Sequence, residues 1–219
     1  MPGLIIFDCD GVLIDSEPLA CRSLSEVLAG IGVAMSADEI NTELVGISMQ
    51  GVIGYVRDRF GVTLGPDFWK AHLGAILDLF AAELQPIDYV PELLDQISLP
   101  MCIASSGRMA RLRPALEMTG LYERFRPHIY NAEMVERAKP APDLFLYAAT
   151  DMAFQPADCL VIEDSHAGVT AACAAGMPVI GFTGGGHTRP GHGDALAAAG
   201  ADAVFANMRE LPDILRRRD

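Results

Sequence analysis

With 219 residues, 51% of them apolar and 21% charged, the chain is long enough to bury a sizeable core and has the composition of an ordinary globular protein. No apolar run approaches the roughly 20 residues of a membrane-spanning helix, and the basic start of a signal peptide is missing, so we expect neither a membrane protein nor a secreted scaffold. The formal net charge of −13 argues against a nucleic-acid partner, although it allows a small phosphorylated ligand in a pocket of local positive charge.

Short apolar runs alternate with longer amphipathic stretches along most of the chain, which is the pattern of a parallel sheet flanked by helices. Most of the runs are continuously apolar, as expected for strands covered on both faces. The predicted strands are Leu4–Phe7, Met101–Ala104, His128–Tyr130, Cys159–Ile162, Val179–Phe182 and Ala203–Phe205. Three helices, Met109–Thr119, Ala167–Ala175 and Ala195–Ala199, are each followed by a glycine that can end them. We therefore predict an α/β fold with a Rossmann-like parallel sheet.

The segment from Glu17 to about Pro86 breaks this alternation, because only helical periodicity occurs there. Ser36 and Glu39 have the spacing of a capping box at the start of a helix, and residues 68–84 carry a broad apolar stripe. We predict an all-helical domain of residues 16–86, inserted after the first strand into a core of residues 1–15 and 87–219. Its aromatic residues, Trp69 among them, are predicted to form its own core.

The five cysteines give a prediction of the cellular compartment. Their number is odd, no Cys-x-x-Cys spacing occurs, and three of them lie within apolar runs. This pattern is typical of buried, reduced thiols rather than of disulfides. We therefore predict a cytoplasmic protein.

Two acidic pairs follow predicted strands. Asp8 and Asp10 come after the first strand and lie on the same side of it, because side chains alternate along a strand. Glu163 and Asp164 end the run Cys159–Ile162. If the two strands are neighbours, four carboxyl groups meet at the edge of the sheet where ligands bind. Each like-charged pair about 4 Å apart would cost about 4 kcal/mol, so we predict a bound divalent cation, most naturally Mg²⁺.

Two further polar segments come after predicted strands. Ser105 and Ser106 follow the strand Met101–Ala104 and precede a helix, so their hydroxyls and backbone N–H groups could bind an anion. Lys139 supplies a cation on a chain that Pro140 and Pro142 make stiff. Either segment alone is common in loops. Their order along the chain suggests that they belong to the same site as the acidic pairs.

Together these residues resemble the four motifs of the haloacid dehalogenase-like (HAD) superfamily. The motifs are Asp8-x-Asp10-Gly11-Val12, Ser105 after its strand, Lys139-Pro140 and Glu163-Asp164. The resemblance spans nearly the whole chain and is closest to the subgroup of β-phosphoglucomutase and the sugar-phosphate and phosphoglycolate phosphatases. The helical insert is similar to the cap domain of that subgroup. The segment Pro100-Met101-Cys102 is similar to bacterial 6-phosphogluconate-type phosphatases.

The resemblance implies a phosphatase with an aspartyl-phosphate intermediate. Asp8 would be the nucleophile, and Asp10 would protonate the leaving alcohol and then deprotonate the attacking water. Mg²⁺ would be held by the Asp8 carboxylate, the Asp10 main-chain carbonyl and Asp164, with Glu163 as a close or water-linked helper. The resemblance also implies catalytic roles for Ser105, which would bond a phosphoryl oxygen, and for Lys139, which would offset charge on the nucleophile and the phosphoryl group. The predicted phosphate-binding residues are Gly11, Ser105, Ser106 and Lys139. The expected substrate is a small phosphorylated metabolite, and the expected assembly is a monomer or a homodimer.

Two alternatives stay open. A sugar phosphomutase would use the same intermediate, but β-phosphoglucomutase-like enzymes carry a His where this chain has Ala20 and an Arg where it has Met49. A catalytically silent binding module is the other alternative, although every predicted catalytic position holds a competent residue.

Other polar residues are weaker candidates. In the helical insert, the candidates for contacts with substrate are Ser48, Gln50, Tyr55, Lys70 and His72. His187 and His192 lie in the glycine-rich segment 183–194, which we predict to be a mobile surface loop.

Overall fold

The computed structural model of the protein describes residues 2–47 and 49–217. The chain divides into two compact units. Met1–Asp15 and Gln85–Asp219 form the first, here called the core unit, and Ser16–Leu84 forms the second, here called the helical unit. Across the described residues, no helix is both long enough and apolar enough to span a bilayer.

The core unit is built on a six-stranded, wholly parallel sheet in the order β3-β2-β1-β4-β5-β6. The strands are β1 (Leu4–Phe7), β2 (Met101–Ser105), β3 (Ile129–Asn131), β4 (Cys159–Glu163), β5 (Val179–Phe182) and β6 (Ala203–Phe205). Strand β1 lies between β2 and β4, and Phe7 is in register with Ile103 and Ile162. This register brings the polar residues that follow β1 level with the ends of both neighbouring strands.

In the described part of the helical unit the helices are α1 (Glu17–Gly30), α2 (Ala37–Glu43), α3 (Met49–Phe60) and α4 (Pro66–Glu83). Helix α2 begins with the predicted capping box, in which Ser36 Oγ accepts from the Glu39 N–H and Glu39 accepts from the Ser36 N–H. The core of this unit includes the buried side chains of Leu28 and Val56. Trp69 packs against that core, as the sequence predicts.

Among the described residues of the core unit, the α-helices that accompany the sheet are α5 (Val90–Gln96), α6 (Met109–Met118), α7 (Tyr122–Phe125), α8 (Asp143–Asp151), α9 (His166–Ala174), α10 (His192–Ala199) and α11 (Leu211–Arg216). All four residues of β1 are completely buried, which accounts for its uninterrupted apolar sequence. The predicted α/β fold with a helical insert is confirmed.

Candidate active site

The chain turns sharply after β1 and holds Asp8 and Asp10 at the end of the central strand. The Cys9 carbonyl accepts from the N–H groups of Leu13 and Ile14, at 2.9 and 3.1 Å. Gly11 has a φ of +77°, a conformation that L side chains rarely adopt. A Cβ atom at this position would overlap the carboxylate of Asp164. Glycine is therefore needed at position 11 both for the turn and for the close approach of Asp164.

Lys139 joins the ends of three strands. Its Nζ lies 2.6 Å from Asp8 Oδ1, 2.7 Å from Glu163 Oε1 and 2.8 Å from the Ala104 carbonyl oxygen. The lysine and both carboxylates are almost completely buried. The other oxygen of Glu163, Oε2, accepts from the N–H and the hydroxyl of Ser165 at 2.8 and 2.9 Å. Both oxygens of Glu163 are thus engaged by protein donors.

The electrostatics of this cluster follow from its burial. Loss of solvent raises the pKa of Asp8 well above its usual value; the charge of Lys139 opposes the rise, whereas Glu163 and Asp164 add to it. Burial would lower the pKa of Lys139, but the adjacent carboxylates of Asp8 and Glu163 raise it above its ordinary value. Burial also raises the pKa of Asp164, against the hydrogen bond from His187. The lysine is therefore a fixed positive charge in a site where negative charge is in excess.

Asp10 has a different partner, which no motif in the sequence indicates. Arg111, in helix α6, places a guanidinium nitrogen 2.6 Å from Asp10 Oδ2. Ser105 is fully buried beside this pair, and its hydroxyl accepts from the N–H of Gly107 at 2.9 Å. Arg111 stands outside any recognisable motif, so only its position in the first turn of the helix after Ser105 could have suggested it.

Asp164 is held by two histidines. His187 Nε2 lies 3.1 Å from Asp164 Oδ2, and His192 Nε2 lies 2.6 Å from the Asp164 main-chain oxygen. His187 is buried, and His192 is the first residue of α10. The prediction of a mobile surface loop is wrong for the position of His187, which is buried because the glycine triplet, residues 184–186, lets the backbone fold back against the turn at Gly11. The triplet was the available signal, since three glycines permit close backbone packing as readily as flexibility.

The predicted anion site after β2 is built differently from expectation. Ser105 is the last residue of β2 rather than the first residue beyond it, and Ser106 is exposed. The first N–H of α6, that of Met109, donates to Glu133 at 2.9 Å. The carboxylate of Glu133 therefore already occupies part of the helix start that the sequence suggested for a ligand.

The predicted carboxylates lie near each other, but the structure divides them among protein donors. Asp8 and Glu163 share Lys139, Asp10 contacts Arg111, and Asp164 contacts His187. The protein's own donors therefore offset part of the repulsion on which the prediction of a cation rests, and the bound cation stays a prediction. In residues 2–47 and 49–217, no set of three or more His, Cys, Asp or Glu side chains is already arranged as a metal site.

The donor set nevertheless fits a hard divalent cation. Asp8, Glu163 and Asp164 are buried around a single buried lysine, which leaves negative charge in excess. The absence of a side chain at Gly11 lets the Asp164 carboxylate pack directly against the turn that carries Asp8 and Asp10. Carboxylate and main-chain carbonyl oxygens are the ligands that Mg²⁺ prefers.

The substrate-contact candidates of the helical unit have varied surroundings. Ser48 lies outside the described residues. Gln50 and Lys70 are exposed, the Tyr55 hydroxyl contacts Arg59, and the His72 ring stacks on Phe68. Their proposed contact with substrate stays a prediction.

Comparisons with known sequences point to one family. A family model described as a haloacid dehalogenase-like hydrolase matches residues 2–176. The 6-phosphogluconate phosphatase of Escherichia coli is 26% identical over 215 residues, which cover 98% of this chain and 95% of the relative.

Solved structures agree with the sequence comparison. A haloacid dehalogenase-like protein of unknown function from Agrobacterium tumefaciens matches with a TM-score of 0.88 and 36% identity, covering 100% of this chain and 99% of the other. A HAD family hydrolase from Deinococcus radiodurans, solved with bound phosphate and sodium, matches with a TM-score of 0.81 and 32% identity, covering 98% and 95%.

Proposed function

This chain belongs to the haloacid dehalogenase-like hydrolase family, and we propose that it is a Mg²⁺-dependent phosphatase that hydrolyses a small phosphorylated metabolite through an aspartyl-phosphate. The predicted family and enzyme class, a HAD-like phosphatase, are confirmed. The observation that carries the mechanistic proposal is the buried Lys139, which holds Asp8 and Glu163 at 2.6 and 2.7 Å at the end of the central strand.

Asp8 is the proposed nucleophile. One of its oxygens attacks phosphorus, the bond from phosphorus to the ester oxygen breaks, and the phosphoryl group is transferred to the carboxylate. The ammonium of Lys139 lies 2.6 Å from Asp8 Oδ1, where it offsets charge on the nucleophile and on the arriving phosphoryl group. Because Glu163 and the Ala104 carbonyl also hold this ammonium, it is positioned before the substrate binds.

Asp10 is the proposed general acid and base. It gives a proton to the departing alkoxide, then takes one from the water that attacks the aspartyl-phosphate, which releases inorganic phosphate and restores Asp8. Arg111 fixes one oxygen of this carboxylate with a charge-assisted hydrogen bond of 2.6 Å.

Three groups are proposed to hold Mg²⁺: the carboxylates of Asp8 and Asp164 and the main-chain carbonyl of Asp10. Glu163 is left as a water-linked helper, because both of its oxygens already accept protein hydrogen bonds. When bound, the ion would neutralise negative charge on the phosphoryl oxygens. Lys139, Ser105, Ser106 and the turn at Gly11 are proposed to bind the phosphoryl group.

A sugar phosphate is the proposed substrate class. Support comes from the relative named as a 6-phosphogluconate phosphatase, which matches along nearly the whole chain. The cytoplasm is the proposed location, supported by the four buried free thiols of Cys9, Cys21, Cys102 and Cys159. That the protein is a monomer or a homodimer stays a prediction.

The residue types at two positions, rather than any distance in the structure, argue against the phosphomutase alternative. Ala20 and Met49 lack the groups that would hold a second phosphate, and the Met49 side chain is exposed. A silent binding module is disfavoured because the acid, the nucleophile and the lysine are all present and in contact with suitable partners.

Phosphate release from a panel of phosphorylated metabolites, measured with Mg²⁺ and with EDTA, tests the proposal. We expect activity on sugar phosphates with Mg²⁺ and none after chelation, with no requirement for a bisphosphate activator. Asp8→Asn should reduce kcat by about a thousandfold or more. Asp88→Asn is the matched control, because Asp88 lies in the same unit and forms an exposed ion pair with Arg209. Turnover that survives chelation or Asp8→Asn would overturn the mechanism.

A further inference from the structure

His187 makes the contact from which a further role can be inferred. Its ring and the Asp164 carboxylate are each more than nine-tenths buried, and Nε2 lies 3.1 Å from Oδ2. For His187 to donate a hydrogen bond to Asp164, Nε2 must carry a proton. The charged ring and one of the two neutral tautomers both have a proton there. A buried histidine therefore fixes one oxygen of a carboxylate that is proposed to bind the metal.

The segment that carries His187 is anchored on both sides of it. The N–H of Gly186 donates to Asp15 Oδ1 at 2.8 Å, and His192 contacts the main-chain oxygen of Asp164 at 2.6 Å. The His187 and His192 rings meet edge to face, with centroids 5.6 Å apart. The imidazole is thus held in position by its neighbours rather than by its contact with Asp164 alone.

Close packing adds to this constraint. A Cβ atom at Gly185 would lie 2.9 Å from the Gly11 carbonyl oxygen and 2.9 Å from the ring of His187. A Cβ atom at Gly11 would lie 2.7 Å from Cε1 of the same ring. The histidine is therefore packed between its own glycine triplet and the turn that carries Asp8 and Asp10.

We propose that His187 is a positioning residue for the metal site, whose hydrogen bond to Asp164 Oδ2 orients that carboxylate toward the divalent cation. The proposal rests on the proposed function, because it assumes that Asp164 binds the metal. Hydrogen-bond partners of metal ligands reduce the loss of freedom on binding, and their removal weakens metal affinity by about 10- to 100-fold. The role belongs to a residue outside the four motifs.

The test measures the Kd of Mg²⁺ by isothermal titration calorimetry, with Mn²⁺ binding by electron paramagnetic resonance as a second measurement. His187→Leu fills similar space without a donor, and His187→Asn keeps an amide that is too short to reach the position of Nε2. His187→Gln places an amide nitrogen near that position. His166→Gln is the matched control, because His166 is exposed and lies two residues from Asp164.

We expect His187→Leu and His187→Asn to raise the Kd by about 10-fold or more, while His187→Gln and His166→Gln stay near wild type. Affinity that is unchanged in both His187→Asn and His187→Leu would overturn the inference while leaving the metal proposal intact. A wild-type protein that binds neither Mg²⁺ nor Mn²⁺ would instead overturn the metal proposal, and the inference with it. Failure of His187→Leu to fold leaves the contrast between Asn and Gln, which differ by one methylene, as the deciding comparison.

Discussion

The contact between Arg111 and Asp10 is where we expect a single neighbouring residue to affect the proposed proton transfer. The guanidinium lies 2.6 Å from Asp10 Oδ2, and both side chains are largely buried. Replacing Arg111 with Met keeps most of the length of the side chain but removes the guanidinium, so the Asp10 carboxylate is free to rotate. We expect Arg111→Met to lower kcat about 10-fold or more with a smaller change in KM, because a small misplacement of a reacting group is costly. Steady-state kinetics on a sugar phosphate would measure both parameters.

The control for that variant lies on the same helix. Arg113 forms an exposed ion pair with Glu117 one turn further along, so Arg113→Met should leave kcat unchanged. Equal kcat values for Arg111→Met and wild type would contradict a positioning role for Arg111.

At the level of single residues, the sequence predicts which carboxylates and which lysine gather at the sheet edge but not how they pair. Asp8, Lys139 and Glu163 follow from motif order and strand ends, and the structure brings them into contact. Arg111 and His187 have only weak signals in the sequence, because each reaches the site from a segment whose backbone path depends on tertiary packing. For the same reason, the sequence indicates that negative charge gathers at this edge but not that Arg111 and His187 offset part of it.

Helix α6 shows how an element can depend on a residue far away in sequence. Its N-cap residue, Arg108, makes no side-chain cap, and the carboxylate of Glu133 accepts from the Met109 N–H instead. This hydrogen bond, with those from Asn131 and Arg108, lowers the pKa of Glu133 below its ordinary value of 4.5. A carboxylate with a lower pKa in the folded state stabilises the fold above its unfolded pKa and loses this effect as pH falls through the folded value.

We therefore expect Glu133→Ala to lower Tm by about 2–4 °C at pH 7, the size of a lost helix cap. The difference from wild type should begin to shrink as the pH falls below the unfolded value of about 4.3, and it should disappear below the lowered folded pKa, where the carboxylate is protonated in both states. This difference in Tm is measured by thermal unfolding at several pH values between 3 and 8, with circular dichroism as the signal. Glu117→Ala, which removes only an exposed helix pair, should change Tm much less. A Glu133→Ala difference that does not depend on pH would contradict the capping role.

At the level of elements, the strands were more predictable than the helices between them. Continuous apolar runs define the strands to within one or two residues, because burial on both faces leaves little choice of residue. Helix α8 was missed because residues 139–142 look like a stiff loop. Pro142 in fact lies just before the helix and Asp143 in its first turn, a start signal that was present in the sequence.

The division into two units is a property of the whole molecule, and the sequence indicates it by the lack of strand-like runs in one long segment. Residues 16–84 contain helical periodicity without a strand-like run, and the described part of this segment folds as helices with its own buried core. That an insert of this kind covers the active site cannot be derived from periodicity, and its role as a cap stays a prediction.

Metal binding should be visible in the stability of the whole protein. A ligand that binds only the folded state stabilises it by about 2.7 kcal/mol at 100 times its Kd. For a chain of this size that corresponds to a rise in Tm of about 5–10 °C. We expect this rise when Mg²⁺ is added to the EDTA-treated protein in differential scanning calorimetry, and we expect Asp164→Asn to abolish most of it because one proposed ligand is lost. Asp88→Asn, with its exposed ion pair, should keep the full rise. Equal Tm values in EDTA and in saturating Mg²⁺ would contradict a metal site among these buried carboxylates, whereas a rise that persists in Asp164→Asn would place the ion elsewhere.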